Sequence, residues 1–313
     1  MFHFQILTIG LILNSFEQKS SSRPMIKNSE LILNSDGTIF HLHLKPEHIA
    51  DQIILVGDQA RVDTISDFFD KIDFSIQNRE FKTVTGWYKN KKLSVISTGI
   101  GTDNIDIVMN ELDALVNIDL NTRQIKKTHK SLEIVRIGTS GGLQEDVPVN
   151  SFLISEKSIG FDGLLAFYAN HERFCDLPFE KAFKDFTGWL ESLPTPYVVN
   201  ASKKLAGKFK DTEFKKGVTI SAPGFYGPQG RILRLDLAMT GLNKKIEQFE
   251  FNGSKITNFE MESSAIYGLS KMLKHEALTI CLIIANRVSM EANQNYREVM
   301  KSMIVKVLDQ LTK

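Results

Sequence analysis

A chain of 313 residues with 42% hydrophobic and 24% charged side chains has the composition of an ordinary soluble globular protein, long enough to bury a full core. Its 38 Lys and Arg balance 37 Asp and Glu to a formal charge of +1, so electrostatics exclude nucleic acid or an anionic membrane as the main partner. Only Cys175 and Cys281 are present, far apart, which gives neither a disulfide framework nor metal-ligand spacing; the chain reads as a cytoplasmic protein of a reducing compartment, with no metal.

In chain order, Phe4 to Leu13 is an apolar run well short of the roughly 20 residues that span a bilayer. Met1-Phe2-His3 carries no Lys or Arg, and Gln18 to Ser22 is polar, so a secretory signal is not indicated. Residues 1–24 therefore read as an extension, mis-started or disordered, with Met25 as the natural first residue and a weak or uncleaved targeting segment as the alternative, and residues 25–313 as the domain. Short apolar runs then alternate with amphipathic stretches. Strands are expected at Ile53 to Val56, Leu93 to Ser97, Ile134 to Ile137, Ser151 to Ile154, Val218 to Ser221, Ile256 to Phe259 and Leu278 to Ala285. Helices are expected at Arg61 to Phe69, Ile105 to Val116, Ser263 to His275 and Tyr296 to Leu311. Such alternation indicates a single α/β domain with a central β-sheet flanked by helices. Asn117 to Lys130 is a polar surface excursion, and residues 171–216 read as peripheral helices and connections outside the functional region.

Three groups of residues carry chemistry. Gly57 follows the strand that ends at Val56, where backbone can approach an anion without a Cβ in the way, and Arg61 lies four residues on. Arg136 sits in Ile-Val-Arg-Ile, an apolar strand in which a permanent charge needs a partner, and Thr139 follows with a hydroxyl. In Phe225-Tyr226-Gly227-Pro228-Gln229-Gly230-Arg231, the amide of Gln229 and the guanidinium of Arg231 offer donors and an acceptor to a flat heterocycle, with Phe225 and Tyr226 able to stack on it. In Glu260-Met261-Glu262-Ser263, an ionised Glu262 accepts from two neighbouring ribose hydroxyls beside the thioether of Met261. Blander readings compete: Arg61 as a solvated charge, Gly57 as a turn, His41 as a structural histidine, and Glu260 and Glu262 as acids at a helix N-terminus with Met261 in the core. They leave Gln229 and Arg231 unexplained.

At these residues the chain resembles the uridine phosphorylase branch of the nucleoside phosphorylase superfamily, whose base loop reads Phe-Tyr-Pro-Gly-Gln-x-Arg and whose ribose motif reads Glu-Met-Glu-Ser. Further landmarks follow in the family's order: Phe40-His41-Leu42, Gly57-Asp58 with Arg61, Arg79-Glu80-Phe81, Ser97-Thr98-Gly99-Ile100-Gly101, Arg136-Ile137-Gly138-Thr139, Asp162-Gly163 and Asn286-Arg287. The resemblance implies the mixed sheet of the nucleoside phosphorylase/hydrolase type and cleavage of uridine by inorganic phosphate, the co-substrate, with no cofactor. It assigns Gly57, Arg61, Arg136 and Thr139 to phosphate, with Arg79 reaching in from a neighbouring subunit. Met261 and Glu262 fall to ribose, with the neighbour's His41 on its 5′-hydroxyl. Phe225, Gln229, Arg231, Asn286 and Arg287 fall to the base, and Arg136, Gln229 and Arg231 to catalysis. A homo-oligomer is implied, dimer-based and extending to a hexamer. Purine-specific relatives carry an Asp at the position of Asn286, and an amide cannot replace that general acid. Val56-Gly57-Asp58-Gln59 departs from the family's Pro-Gly-Asp-Pro, Gly227-Pro228 inverts Pro-Gly, and Thr102-Asp103-Asn104 replaces Gly-Pro-Ser, bringing a carboxylate toward the phosphate and ribose. The alternatives are a nucleosidase using water, a phosphorylase for another nucleoside, and a catalytically silent nucleoside-binding protein.

Overall fold

The computed structural model describes residues 25–210 and 213–313; the extension expected over residues 1–24 lies outside them. The chain opens with β1 (Gln52–Val56), α1 (Gln59–Ser66), β2 (Lys71–Asn78), β3 (Phe81–Tyr88), β4 (Lys91–Ser97) and α2 (Thr102–Asn117). A two-stranded hairpin, β5 (Ile118–Asp119) and β6 (Gln124–Ile125), precedes the long strands β7 (Glu133–Gly142) and β8 (Phe152–Gly160). Next come α3 (Leu177–Thr187), β9 (Tyr197–Asn200), α4 (Lys203–Ala206), β10 (Phe214–Ser221) and α5 (Leu242–Gln248). The last part holds β11 (Glu250–Phe251), β12 (Ser254–Glu260), α6 (Ser263–Met272), β13 (Glu276–Asn286), β14 (Glu291–Ala292) and α7 (Arg297–Leu311).

All of these strands but β5 and β6 form one mixed sheet, flanked by helices, whose path runs β11-β12-β10-β8-β13-β7-β1-β4-β3-β2 with β9 added on β8 and β14 on β13. Ile53 to Val56 of β1 are almost fully buried, as expected for a central strand covered on both faces. In α2, Ile105, Val108, Met109, Leu112 and Leu115 recur at helical spacing and are buried in the same core.

One pairing decides where function can sit. β12 also pairs antiparallel with β7 through Asn258 opposite Gly142 and Phe259 opposite Gly141. Through β13, β8 and β10 the path returns to β12, so five strands close into a ring, with register shifts in β10 supplying curvature. Closure delivers Glu260 to Glu262, at the end of β12, to Arg136 and Thr139 of β7. Neither segment could meet the other in an open sheet.

Several expectations need correction. The hydrophobic pattern marks no element over β2 and β3; both are strands, paired antiparallel with each other beside β4. The helix starting at Ser263 ends at Met272 rather than His275, because Lys274 takes a left-handed φ of 62° and His275 N–H turns back to Ser270 O at 2.7 Å. Residues 171–216 include a strand, β9, paired with β8. The excursion at 117–130 also serves as an anchor, since Ile26 N–H donates to Arg123 O at 2.9 Å and Arg123 Nη1 donates to Leu31 O at 2.5 Å, which fastens the segment preceding the sheet.

Candidate active site

The C-terminal ends of β1, β7, β12 and β13 and the loop after β10 surround a cavity of about 320 Å³. Strand ends of this kind are where open α/β sheets place ligands. Gly57, Arg61, Arg136, Thr139, Phe225, Gln229, Arg231, Met261 and Glu262, all expected from the sequence, line it. A smaller cavity of about 160 Å³ continues past Gln229 and Arg231 toward Asn286 and Arg287. None of the first group, Gly57, Arg61, Arg136 or Thr139, lines this extension, so the pocket has distinct ends.

At one end, Arg136 is 5% exposed and hydrogen-bonds through Nη2 to Glu262 Oε2. Its Nε lies 3.6 Å from Glu260 Oε2, too far for a hydrogen bond, and Nε and Nη1 have no hydrogen-bond partner. Burial alone would depress this guanidinium's pKa, but the charges of Glu262 and Glu260 outweigh it and hold the value above the ordinary one. Gly57 stands beside the group; a Cβ there would lie 3.9 Å from Arg136 Nη2. Asp58 caps α1 by accepting Arg61 N–H at 2.9 Å and also pairs with the Arg61 side chain at 3.2 Å.

The two acids after β12 divide their roles. Glu260 is spent on structure: it accepts from Ser221 Oγ at 2.5 Å, Glu262 N–H at 2.9 Å and Ser263 N–H at 3.0 Å, and so fixes the start of α6. The helix-terminus reading thus holds for Glu260. Glu262 occupies the N-cap position but makes no cap bond; its carboxylate takes Gly101 N–H at 2.9 Å as well as Arg136. Gly101 has φ 102°, and a Cβ there would come within 2.8 Å of Asp103 Oδ1, so glycine is required to present that N–H. Burial first, then the neighbouring Glu260 charge, raises the Glu262 carboxyl against the pull of Arg136.

At the other end, the Arg231 guanidinium lies 3.8 Å over the Phe225 ring and donates to Phe225 O and Gln229 Oε1, each at 2.5 Å. Gln229 is 4% exposed. The inverted Gly227-Pro228 pair is accommodated by a 3₁₀ turn over Gly227–Gln229 closed by Gly230 at φ 70°, where a Cβ would strike Asn243 Nδ2 at 2.3 Å. Arg287 Nη1 donates to Gln229 O at 2.8 Å and Asn243 Nδ2 to the same oxygen at 3.2 Å, so Arg287 positions the loop.

Other expected residues are engaged with the protein itself or stand outside the main cavity. The Asn286 amide donates to Gln144 O and Val147 O, both at 2.9 Å, and its Oδ1 accepts from Val288 N–H at 2.8 Å and Ser289 N–H at 3.1 Å. All four of its hydrogen-bonding places are filled by backbone, so it has none for a base. His41 and Arg79 do not line the cavity; they cluster together, with Asn78 Nδ2 donating to His41 O at 2.7 Å and the Arg79 guanidinium 5.9 Å from the Phe40 ring. Glu111 holds His41 Nδ1 at 2.7 Å, and Gln59, which stands at a family proline position, donates to Arg79 O at 2.7 Å. Tyr226 is exposed and outside the lining, and exposed Asp103 sits in the first turn of α2, also outside it.

Sequence reasoning gave no site role to Phe259, Ile284 and Ala285 of the lining, nor to Ile100 and the Gly101 N–H, although both residues stand in the Ser97 to Gly101 motif. These are apolar strand ends or a backbone group and carry no chemical mark in one dimension. Away from the cavity, Asp113, His129 and His275 bring ligand-capable atoms within 4.8 Å of one another. His275 Nδ1 accepts Leu132 N–H at 3.1 Å, which leaves the ring proton on Nε2, the nitrogen facing Asp113, and opposes metal coordination there. Among the described residues, no helix is long and apolar enough to cross a membrane.

Comparison with known proteins agrees with this geometry. The phosphorylase superfamily matches residues 51–310. A uridine phosphorylase of Thermococcus kodakarensis is 27% identical over 282 residues, covering 87% of each chain. A purine nucleoside phosphorylase of DeoD type from Listeria welshimeri is 27% identical over 244 residues, 78% of this chain and 85% of that one. The solved Trypanosoma brucei nucleoside phosphorylase, described as showing uridine phosphorylase activity, superimposes with a TM-score of 0.81 at 29% identity, covering 90% of this chain and 98% of that one. The chain belongs to the phosphorylase superfamily, as a uridine phosphorylase-like glycosyltransferase.

Proposed function

We propose that the chain cleaves a pyrimidine nucleoside, uridine in the first instance, with inorganic phosphate to give the free base and ribose 1-phosphate. The observation that carries this reading is Arg136: a guanidinium buried in the sheet, with Nε and Nη1 unpartnered, beside Gly57, Arg61 and Thr139. Such a group calls for an anion with several acceptor oxygens, and phosphate supplies them.

The reaction is a separation of charge. A phosphate oxygen bonds to the anomeric carbon as the C–N bond breaks; the electron pair leaves with the base, and the sugar passes through an oxocarbenium-like state. Phosphate held by Arg136 and Arg61 offsets the sugar's positive charge, and Arg231, aligned through Gln229, stabilises the negative charge on the base. Glu262 accepts from the ribose hydroxyls and fixes the anomeric carbon between phosphate and base. The base then takes a proton from water, and because phosphate itself bonds to the sugar no covalent enzyme intermediate is needed.

Similarity to a purine nucleoside phosphorylase keeps a purine substrate as a second reading. Asn286 weighs against it, since an amide wholly engaged with backbone cannot protonate a purine nitrogen. Placement of His41 and Arg79 together, outside the chain's own cavity, supports their donation to a neighbouring subunit in a dimer-based oligomer. The test is chromatography of products from uridine, thymidine and inosine incubated with purified protein and phosphate. Uracil and ribose 1-phosphate formed faster than hypoxanthine support the reading; inosine as the preferred substrate overturns it.

A further inference from the structure

At the opposite end of α6 from Glu262, a cavity of about 550 Å³ lies between the last turn of α6, the start of β13 and the β9–α4 connection. Lys203, Lys204, Lys271 and Lys274 line it. Lys204 is paired with Glu133 at 2.8 Å, whereas Lys203, Lys271 and Lys274 form no ion pair among the described residues. Glu276, the carboxylate in the lining, is engaged by the Ser202 hydroxyl. Ser270, also in the lining, is 1% exposed, and its hydroxyl has no hydrogen-bond partner. Burial, together with the charges of Lys157 and Lys203, holds the Lys271 ammonium below its ordinary value.

Lysines in the last turn of a helix complement its negative end, and that accounts for Lys271 and Lys274. It does not account for Lys203, which arrives from a different element, or for a buried hydroxyl left unpartnered. Three lysines without ion pairs line one cavity, Lys203 and Lys274 exposed and Lys271 half-buried, and a dianion among them would gain charge-assisted hydrogen bonds. The volume lies within the range of small-molecule sites and far exceeds that of a bare ion. We propose that this cavity binds a phosphorylated small molecule, with its phosphate held by Lys203, Lys271 and Lys274 and by the Ser270 hydroxyl.

This site is separate from the first. The ten residues of α6 span roughly 15 Å, and β13 runs roughly 23 Å from Ala277 in this cavity to Ile284 in the other, so one small molecule cannot occupy both. The proposal uses no residue of the first pocket and stands apart from the phosphorolysis reading.

The experiment is calorimetric titration of ribose 5-phosphate into the full chain, the R136A variant, S270A and the double variant K271Q/K274Q. Binding of comparable strength to wild type and R136A is expected, severalfold weaker to S270A, about tenfold or more weaker to the double variant, and weakening with added salt. Two results overturn the proposal: no binding to wild type at millimolar ligand, or binding lost in R136A and retained in K271Q/K274Q, which would put the ligand in the first pocket.

Discussion

The two ends of the active-site pocket are built on different foundations. The end proposed for phosphate hangs from the sheet: Arg136 lies in β7, within the strand ring, at 5% exposure, held by Glu262 where β12 closes onto β7. The base end is a loop, in which Phe225 is 51% and Tyr226 54% exposed and whose geometry is maintained by Arg287, Asn243 and the internal contact of Arg231 with Gln229. On the proposed reading, phosphate is thus held from strands and the base from a loop. Substitutions at the sheet end should therefore reduce turnover of every nucleoside, and those at the loop end should reorder substrates.

The largest effect is expected for Arg136→Ala, a fall of about 1,000-fold or more in kcat/KM for every nucleoside tried. Arg136→Lys should not restore activity, because a point charge cannot bridge Glu262 and phosphate as a planar fork does. Near-wild-type rates in either variant would remove Arg136 from the site. Next comes Glu262→Gln, with a loss of about 100-fold that again ignores the base. Glu262 also sets a pH dependence. Its ionised form is the competent one, and burial raises its carboxyl above the ordinary 4.5, so activity should fall as pH drops through a value higher than that. An acid limb of the kcat/KM profile that persists unchanged in Glu262→Gln would assign the titration to another group.

At the loop, Gln229→Ala should cost uridine about 10- to 100-fold while sparing inosine and the KM for phosphate. Equal losses for both nucleosides would mean that the base is read elsewhere. The smallest effect is expected for Arg287→Ala, whose guanidinium reaches the loop through the Gln229 carbonyl. A severalfold rise in nucleoside KM at near-constant kcat fits a positioning role. A collapse of kcat would instead place the guanidinium on the reacting base.

The same division governs what could be read from sequence. Arg136 was legible because a permanent charge inside an apolar strand contradicts its surroundings, and Gln229, Arg231 and Glu262 because their spacing and motifs describe a ligand. Phe259, Ile284 and Ala285 were not, since they differ from core residues only by lying where strands end and the ring closes. Asn286 misled for the converse reason: its type suits a base, but four backbone partners exhaust it. Helices and inner strands followed their periodicity, whereas ring closure depends on β12 meeting β7, a contact between residues more than a hundred positions apart.

The most direct test of phosphate at Arg136 is the rate of uracil release from uridine as a function of phosphate concentration. A rate that rises from near zero to saturation with phosphate in the wild-type protein, and stays near zero throughout in Arg136→Ala, is the predicted result. Uracil released at full rate without phosphate would make the enzyme a hydrolase and contradict the account.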